Sequence, residues 1–357
     1  MTVQHEFYGS APSALRAPAH LLSRIRRECA LHDWFVLTYL ILLNVAALSA
    51  PPSAARTAAL LNVFGLLAAL VVTLVLVRGA VIRDKFWAPL LYRLGIYGSV
   101  QISYFMLAGL LPVVNTTTVD LELYRLDVAL FGFEPAIALD AFVNPISTEW
   151  FAFFYFGYFI LLALHVISIL FFSSRTRVLG EFAAGMLFVF CVGHILYMLV
   201  PGFGPYKAMA SHFEHAFPSG AWLDMVMLTV ASGGAQMDIF PSLHTAAPAF
   251  IALYSFRHRD KAPFQLTWPV VAFCSVNIMV ATMFLRWHYV IDVVAGVALA
   301  SAAVVVASYA TRREAARRGA LLTESWPMFF RKAARLAPSR SWRPHADDVA
   351  SSSRHAA

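Results

Sequence analysis

The chain has 357 residues, of which 60% are hydrophobic and only 13% charged, with a mean hydropathy of +0.67. A soluble domain carries about a quarter charged residues, so the composition excludes an ordinary soluble enzyme and leaves a bundle of membrane spans with tails. The net charge of +7 raises nucleic acid as a partner, a reading that the placement of the charges removes.

In chain order, residues 1–33 form a basic tail with Arg16, Arg24, Arg26 and Arg27. The apolar run 34–50 follows a long leader and is closed at once by Pro51-Pro52, which predicts an uncleaved first span rather than a signal peptide. Further runs at 57–77, 96–114, 149–172, 181–200, 242–256, 268–285 and 288–310 approach the roughly 20 residues that a bilayer needs. Runs of this kind are helices, because lipid offers no partner to an open backbone. The expected fold is therefore an all-α polytopic bundle of about eight transmembrane helices. The run at 96–114 is interrupted by Ser99, Gln101 and Ser103, and the run at 242–256 is short. Cys29, Cys191 and Cys274 fit no metal ribbon or disulfide framework and read as packing residues.

An even number of spans puts both ends on one side. Of the 27 Lys and Arg, only Arg56, Arg125, Lys207 and Arg286 then fall on the other side. The positive-inside rule makes the rich side cytoplasmic and the poor side external. Residues 115–148 become an external acidic segment, with Asp120, Glu122, Asp127, Glu134 and Asp140, and LDVALFGF within it fits a short interfacial helix. Residues 201–239 form a long external loop, long enough for a lid or substrate cradle. Residues 311–357 are basic (RREAARR, then RKAAR) and end in a polar stretch, as expected of a tail on the anionic inner leaflet that then becomes disordered. This tail holds most of the net charge, so a nucleic-acid role has no support.

Two stretches on the external side carry chemistry: FPSLHT at 240–245 and RWHYVIDVVAG at 286–296. His288 and Asp292 are four apart and share a helix face. A carboxylate on one ring nitrogen fixes the tautomer and frees the other as base or nucleophile. The competing reading is a structural His–Asp bond at a helix start, although an aspartate inside a span calls for a reason. In FPSLHT, Pro241 suits the first helical turn, so the amides of Ser242, Leu243 and His244, with the Ser242 hydroxyl, would face an anion. Here the competing reading is an N-cap with an incidental histidine. Two such helix mouths on one side make coincidence a poor account. Arg286 and Lys207 are the nearby external cations and the candidate phosphate ligands, with snorkelling as the alternative for Arg286. Phe217-Pro218-Ser219-Gly220 mimics the first motif without its histidine and reads as a turn, and His212 and His215 lack a third metal ligand. His165, His194 and Asn277 read as helix–helix hydrogen bonders.

FPSLHT followed by HYVID resembles the type 2 phosphatidic acid phosphatase superfamily, and within it the branch of inositol phosphorylceramide synthase and its bacterial relatives. LDVALFGFEP and PGFGP also resemble that branch, and the similarity covers residues 120–310. The resemblance implies a six-helix phosphatase-like catalytic membrane domain over 115–310, and the apolar runs give three N-terminal transmembrane helices at 34–114 before it. It implies a phosphohistidine on His288, Asp292 orienting it, and His244 as general acid and then base, with no metal or cofactor. The substrate would be a lipid phosphate or phospholipid, met at the external face of a bacterial inner membrane. The pattern departs from the superfamily at Thr282, where an arginine is usual six residues before the nucleophile, and at Tyr206, where the branch often has arginine.

The expected function is a membrane lipid phosphotransferase or phosphatase. Two other classes compete. A non-catalytic lipid binder or translocator would need cations rather than a His–Asp pair, and a proton-coupled transporter would place ionisable groups near span centres.

Overall fold

The computed structural model describes residues 13–173, 175–233, 236–321 and 325–329. The polar end of the chain expected to be disordered lies outside these residues. The helices are α1 Ser13–Glu28, α2 Leu31–Ser49, α3 Ala54–Arg78, α4 Trp87–Val114, α5 Asp120–Phe131, α6 Pro135–Ala138, α7 Pro145–Phe172, α8 Thr176–Leu199, α9 Pro205–Ala208, α10 Ala221–Gly233, α11 Leu243–Arg257, α12 Phe264–Phe284 and α13 Val290–Leu321. Short 3-10 turns lie at Leu139–Phe142 and Ala210–His212. The protein is a polytopic helical membrane protein. Seven helices, α2, α3, α4, α7, α8, α12 and α13, are long and apolar enough to cross a bilayer.

The eighth expected span, 242–256, is a helix of only 15 residues, α11. It packs against α7, α8, α12 and α13, and Thr245 through Ile251 are buried without a break. Leu253 and Phe256 in its second half are exposed, and it runs from the start of α13 to His258 beside Glu181, so it joins the same two ends of the bundle as the longer helices. Leu61 and Phe64 on α3, Leu164 on α7 and Val270 on α12 are also exposed, as a lipid-facing surface requires. α8 joins two groups of helices, packing on α2 and α4 on one side and on α11 and α13 on the other.

Local chemistry sets the helix starts. Ser53 caps α3 by accepting the Arg56 N–H, and Asn144 caps α7 ahead of Pro145, a residue suited to the first turn. At one end of the bundle, Arg78 bonds Asp33 at 2.8 Å, Glu181 at the start of α8 meets His258 just after α11, and Arg318 near the end of α13 donates to the Glu28 carbonyl. Arg78 and Arg93, two of the cations counted on the rich side, lie within α3 and α4. Both are buried, and Arg93 donates to the Leu170 and Pro327 carbonyls. The opposite end holds the starts of α7, α11 and α13 and the ends of α4 and α8. There Val119 donates to the Pro201 carbonyl and Ser242 to the Asp292 carbonyl.

The stretch 201–239 is not a plain loop. It contains α10, an apolar helix that packs along α7, with Glu149 of α7 accepting from the Trp222 and Leu223 amides at its start. The FPSG stretch before it runs without a hydrogen-bonded turn and ends at α10, instead of forming the expected turn. α5 lies where the sequence predicts an interfacial helix, with Leu121, Leu126, Leu130 and Phe131 exposed.

Candidate active site

The starts of α11 and α13 meet because Gly296 lets them. A Cβ built on Gly296 would lie 2.6 Å from the Ser242 carbonyl oxygen and 3.0 Å from the Thr245 Cβ. Glycine at this crossing allows the two backbones to approach closely. The Ser242 N–H donates to the Asp292 carbonyl at 3.0 Å, which ties the two motifs together directly.

His244 and His288 line one cavity of about 310 Å³. α4 adds Gln101 and Tyr104, α7 adds Tyr155 and Tyr158, and α8 adds His194 and Tyr197. The rest of the wall comes from Phe203, Tyr206, the end of α10, and Asp238. The His244 ring stacks on Tyr155 at 4.6 Å and touches Tyr158 at 4.3 Å between centroids, while its Nε2 has no partner among the described residues. His288 Nδ1 lies 3.4 Å from Asp292 Oδ2, within ion-pair range but short of a closed hydrogen bond. That oxygen accepts the Tyr289 N–H at 2.9 Å, and Asp292 Oδ1 and His288 Nδ1 are both buried and unpartnered among the described residues. Catalytic hydrogen bonds often reach full closure only in the complex with substrate.

The three predicted phosphate ligands do not join this cavity. Ser242 is fully buried, and its hydroxyl oxygen accepts the Thr245 N–H, so it caps α11. Pro241 precedes that cap instead of occupying the first turn. Arg286 has a left-handed backbone, φ 67°, and its side chain turns to Asp140 and the His215 carbonyl, both at 2.5 Å. There its guanidinium lies 4.2 Å from the centres of both the Phe213 and Phe217 rings. The Lys207 ammonium sits 3.5 Å over the Phe203 ring. No Lys or Arg lines the cavity among the described residues. The position where the superfamily has arginine, Thr282, uses its carbonyl to accept the Trp287 and His288 amides, which fixes the turn that presents His288.

In the acidic segment Glu122 is exposed, but Asp120, Asp127, Glu134 and Asp140 are buried, and three of them act as staples. Asp120 accepts the Phe203 and Gly204 amides. Asp127, 0% exposed, accepts those of Val290 at 2.6 Å and Ile291 at 3.0 Å. Asp140 accepts the Glu214 and His215 amides and the His215 ring at 2.9 Å. Burial alone would raise the Asp140 carboxyl, but these bonds and the Arg286 charge hold it below the usual carboxylate range. The mouth of α13 is thus filled by a protein carboxylate and is not open to an anion. Gly204 is needed for the same assembly, since its φ is 93° and a Cβ there would meet the Trp287 carbonyl oxygen at 2.3 Å.

Glu134 completes this layer. Burial pushes its carboxyl up to about 8, with Asp127 and Asp292 adding to the rise, and its side chain bonds Asp127. A carboxyl whose folded pKa is raised keeps its proton while the unfolded chain loses its own. Its contribution to stability is present below pH 4.5 and is lost as the pH rises towards 8. Glu134→Gln, which stays neutral, is expected to flatten the decline in thermal stability across that window. The expected change is a few kcal/mol at most, about 1.4 per pH unit. Unfolding of the detergent-solubilised protein at a series of pH values checks this, and an unchanged slope would refute it.

Sequence reasoning missed Asp238. It lies two residues before FPSLHT, lines the cavity, and accepts the Tyr104 hydroxyl at 2.9 Å. Burial pushes its carboxyl above the usual range, against the Tyr104 bond and the nearby His288. The only signal was a carboxylate directly upstream of an apolar motif. Of the histidines set aside, His215 belongs to the Asp140 staple and His165 bonds the Leu161 carbonyl. Asn277 accepts from Trp150.

In comparison with known proteins, a family model described as the PAP2 superfamily matches residues 121–306. No curated protein and no solved structure gives a significant match. The matched stretch contains both histidine motifs and the staples at Asp127 and Asp140, starts one residue after Asp120, and excludes α2, α3 and α4.

Proposed function

This chain belongs to the PAP2 superfamily, and from that premise we propose that it is a membrane lipid phosphotransferase or phosphatase working through a phosphohistidine on His288. His288 Nε2 attacks the phosphorus while Asp292 takes Nδ1. The bond from phosphorus to the leaving oxygen breaks, and His244 gives that oxygen a proton. His244 then removes a proton from water or an alcohol, whose oxygen attacks phosphorus and breaks the P–N bond. One observation supports this most: two imidazoles, one backed by a carboxylate, line a single cavity at adjoining helix starts.

Charge on the transferring group needs a cation. Lys207 is placed better than Arg286 to supply it, because it rests on Phe203, itself part of the cavity wall, while Arg286 is held by Asp140. The substrate is a lipid phosphate or head-group phosphodiester, reached from the external face if the charge asymmetry sets the orientation.

The test offers the purified full chain phosphatidate, an isoprenoid diphosphate, and phosphatidylinositol with ceramide, each with and without chelator. Inorganic phosphate from the first two marks hydrolysis, and a new phospholipid from the third marks transfer. No product from any of them favours the lipid-binding alternative. Loss of turnover with chelator contradicts a metal-free mechanism.

A further inference from the structure

His194 projects from α8 about five residues from its end, roughly 8 Å below the helix terminus at 1.5 Å per residue. It is 1% exposed and lines the same cavity as His244 and His288. Its hydrogen bonds determine its tautomer. The Ser103 hydroxyl donates to the Val100 carbonyl at 2.6 Å, so its single proton is spent. The Tyr39 hydroxyl, 2.6 Å from Ser103 Oγ, must therefore be the donor of that pair. Tyr39 has no second proton to give, so its oxygen accepts from His194 Nδ1 at 2.8 Å. Nδ1 then carries the proton and Nε2 holds a lone pair. That Nε2 is buried and has no partner among the described residues. A lone pair lost from water without a partner costs about 1–3 kcal/mol, and three residues are committed to keeping this one in place. The Tyr104 ring packs 5.8 Å from His194 and its hydroxyl donates to Asp238, which brings a second acceptor to the same cavity.

We propose that His194 Nε2, with Asp238 on the lining of the same cavity, is a hydroxyl-binding subsite, which takes an O–H of a lipid alcohol or of a hydroxylated head group. This deepens the phosphotransfer reading and rests on it for the role of the ligand. A site made of acceptors selects donors and gives a bare phosphate oxygen nothing. Tyr39, Ser103 and Tyr104 lie outside the family-matched stretch, so the N-terminal helices would supply selectivity to a catalytic centre built from the others.

The test measures binding, so it does not depend on turnover. The full chain in detergent is titrated with dioctanoyl phosphatidate, dioctanoyl phosphatidylinositol and dioctanoylglycerol. His194→Ala is expected to weaken one or both of the hydroxyl-bearing lipids by about tenfold, with phosphatidate changed less than about twofold. A loss for phosphatidylinositol places the hydroxyl on the donor head group, and a loss for dioctanoylglycerol places it on the acceptor. His194→Asn, which can keep an acceptor oxygen in place, is expected to recover part of the loss, and it is read the same way if the alanine variant does not fold. Nitrogen NMR of labelled histidine is expected to find Nε2 unprotonated in the wild type. Equal losses for all three lipids, a loss for none, or a protonated Nε2 overturns the proposal. A failure of the phosphohistidine reading would appear separately, as absent turnover with this selectivity intact.

Discussion

His288→Ala is expected to lower turnover by at least about a thousandfold and to abolish any covalent phosphoenzyme. Asp292→Asn should cost less, about a hundredfold. The reason lies in how the couple is built. Asp292 does not touch the cavity; it lies behind His288, with one oxygen on the Tyr289 amide and 3.4 Å from Nδ1. An asparagine oxygen can still accept from Tyr289, so the turn survives. What is lost is the negative charge that balances the imidazole as it bonds to phosphorus. The two variants thus separate the nucleophile from the group that orients it. The measurement is rapid quench with phosphorus-labelled lipid, followed by peptide mapping. Label on position 288 in the wild type, slower labelling in Asp292→Asn and none in His288→Ala would agree. Label that persists in His288→Ala, or that maps to His244, would sink the assignment of the nucleophile.

The seven long helices were legible because lipid imposes a length and an unbroken apolar run, and both are local properties. The closeness of His288 and Asp292 was legible, but its cause was not: α13 starts only at Val290, and the turn held by the Thr282 carbonyl, not a shared helix face, sets His288 3.4 Å from Asp292. α11 shows what an apolar run cannot say: its first half is enclosed by neighbouring helices, while Leu253 and Phe256 in its second half are exposed. α10 was hidden by its length of 13 residues and by the glycines around it. The carboxylates were the largest loss. Asp120, Asp127 and Asp140 bind amides that lie 74 to 164 residues further along the chain, and no pattern near them announces a partner at that distance. Arg286 shows the same effect of partners distant in the chain. Scarcity of cations gave it weight, but its direction is set by its left-handed backbone and by Asp140. What sequence offered was therefore the chemistry of the motifs, and what it withheld was the scaffold that aims them.

That scaffold can be tested at Gly296, where the largest purely geometric effect is expected. His244 follows Ser242 by two residues, and His288 precedes Asp292 by four, so the spacing of α11 and α13 sets the spacing of the two rings. An added methyl at position 296 meets a backbone oxygen at 2.6 Å, and backbone cannot swing aside as a long side chain can. The helices must part by a few tenths of an ångström or more, which also stretches the bond from the Ser242 amide to the Asp292 carbonyl. Overpacking of this kind costs about 1–3 kcal/mol in stability. Its effect on catalysis is larger, because a displacement near 1 Å between reacting groups can cost about a hundredfold. Gly296→Ala is therefore expected to lower turnover by roughly ten- to a hundredfold with most of the protein still folded. Gly98→Ala is the matched control, since a Cβ there has no atom within 4 Å, and it should leave turnover and melting unchanged. If Gly296→Ala has wild-type turnover, the close contact between the two helix starts does not set the distance between the imidazoles, and the site must be assembled by the loops instead.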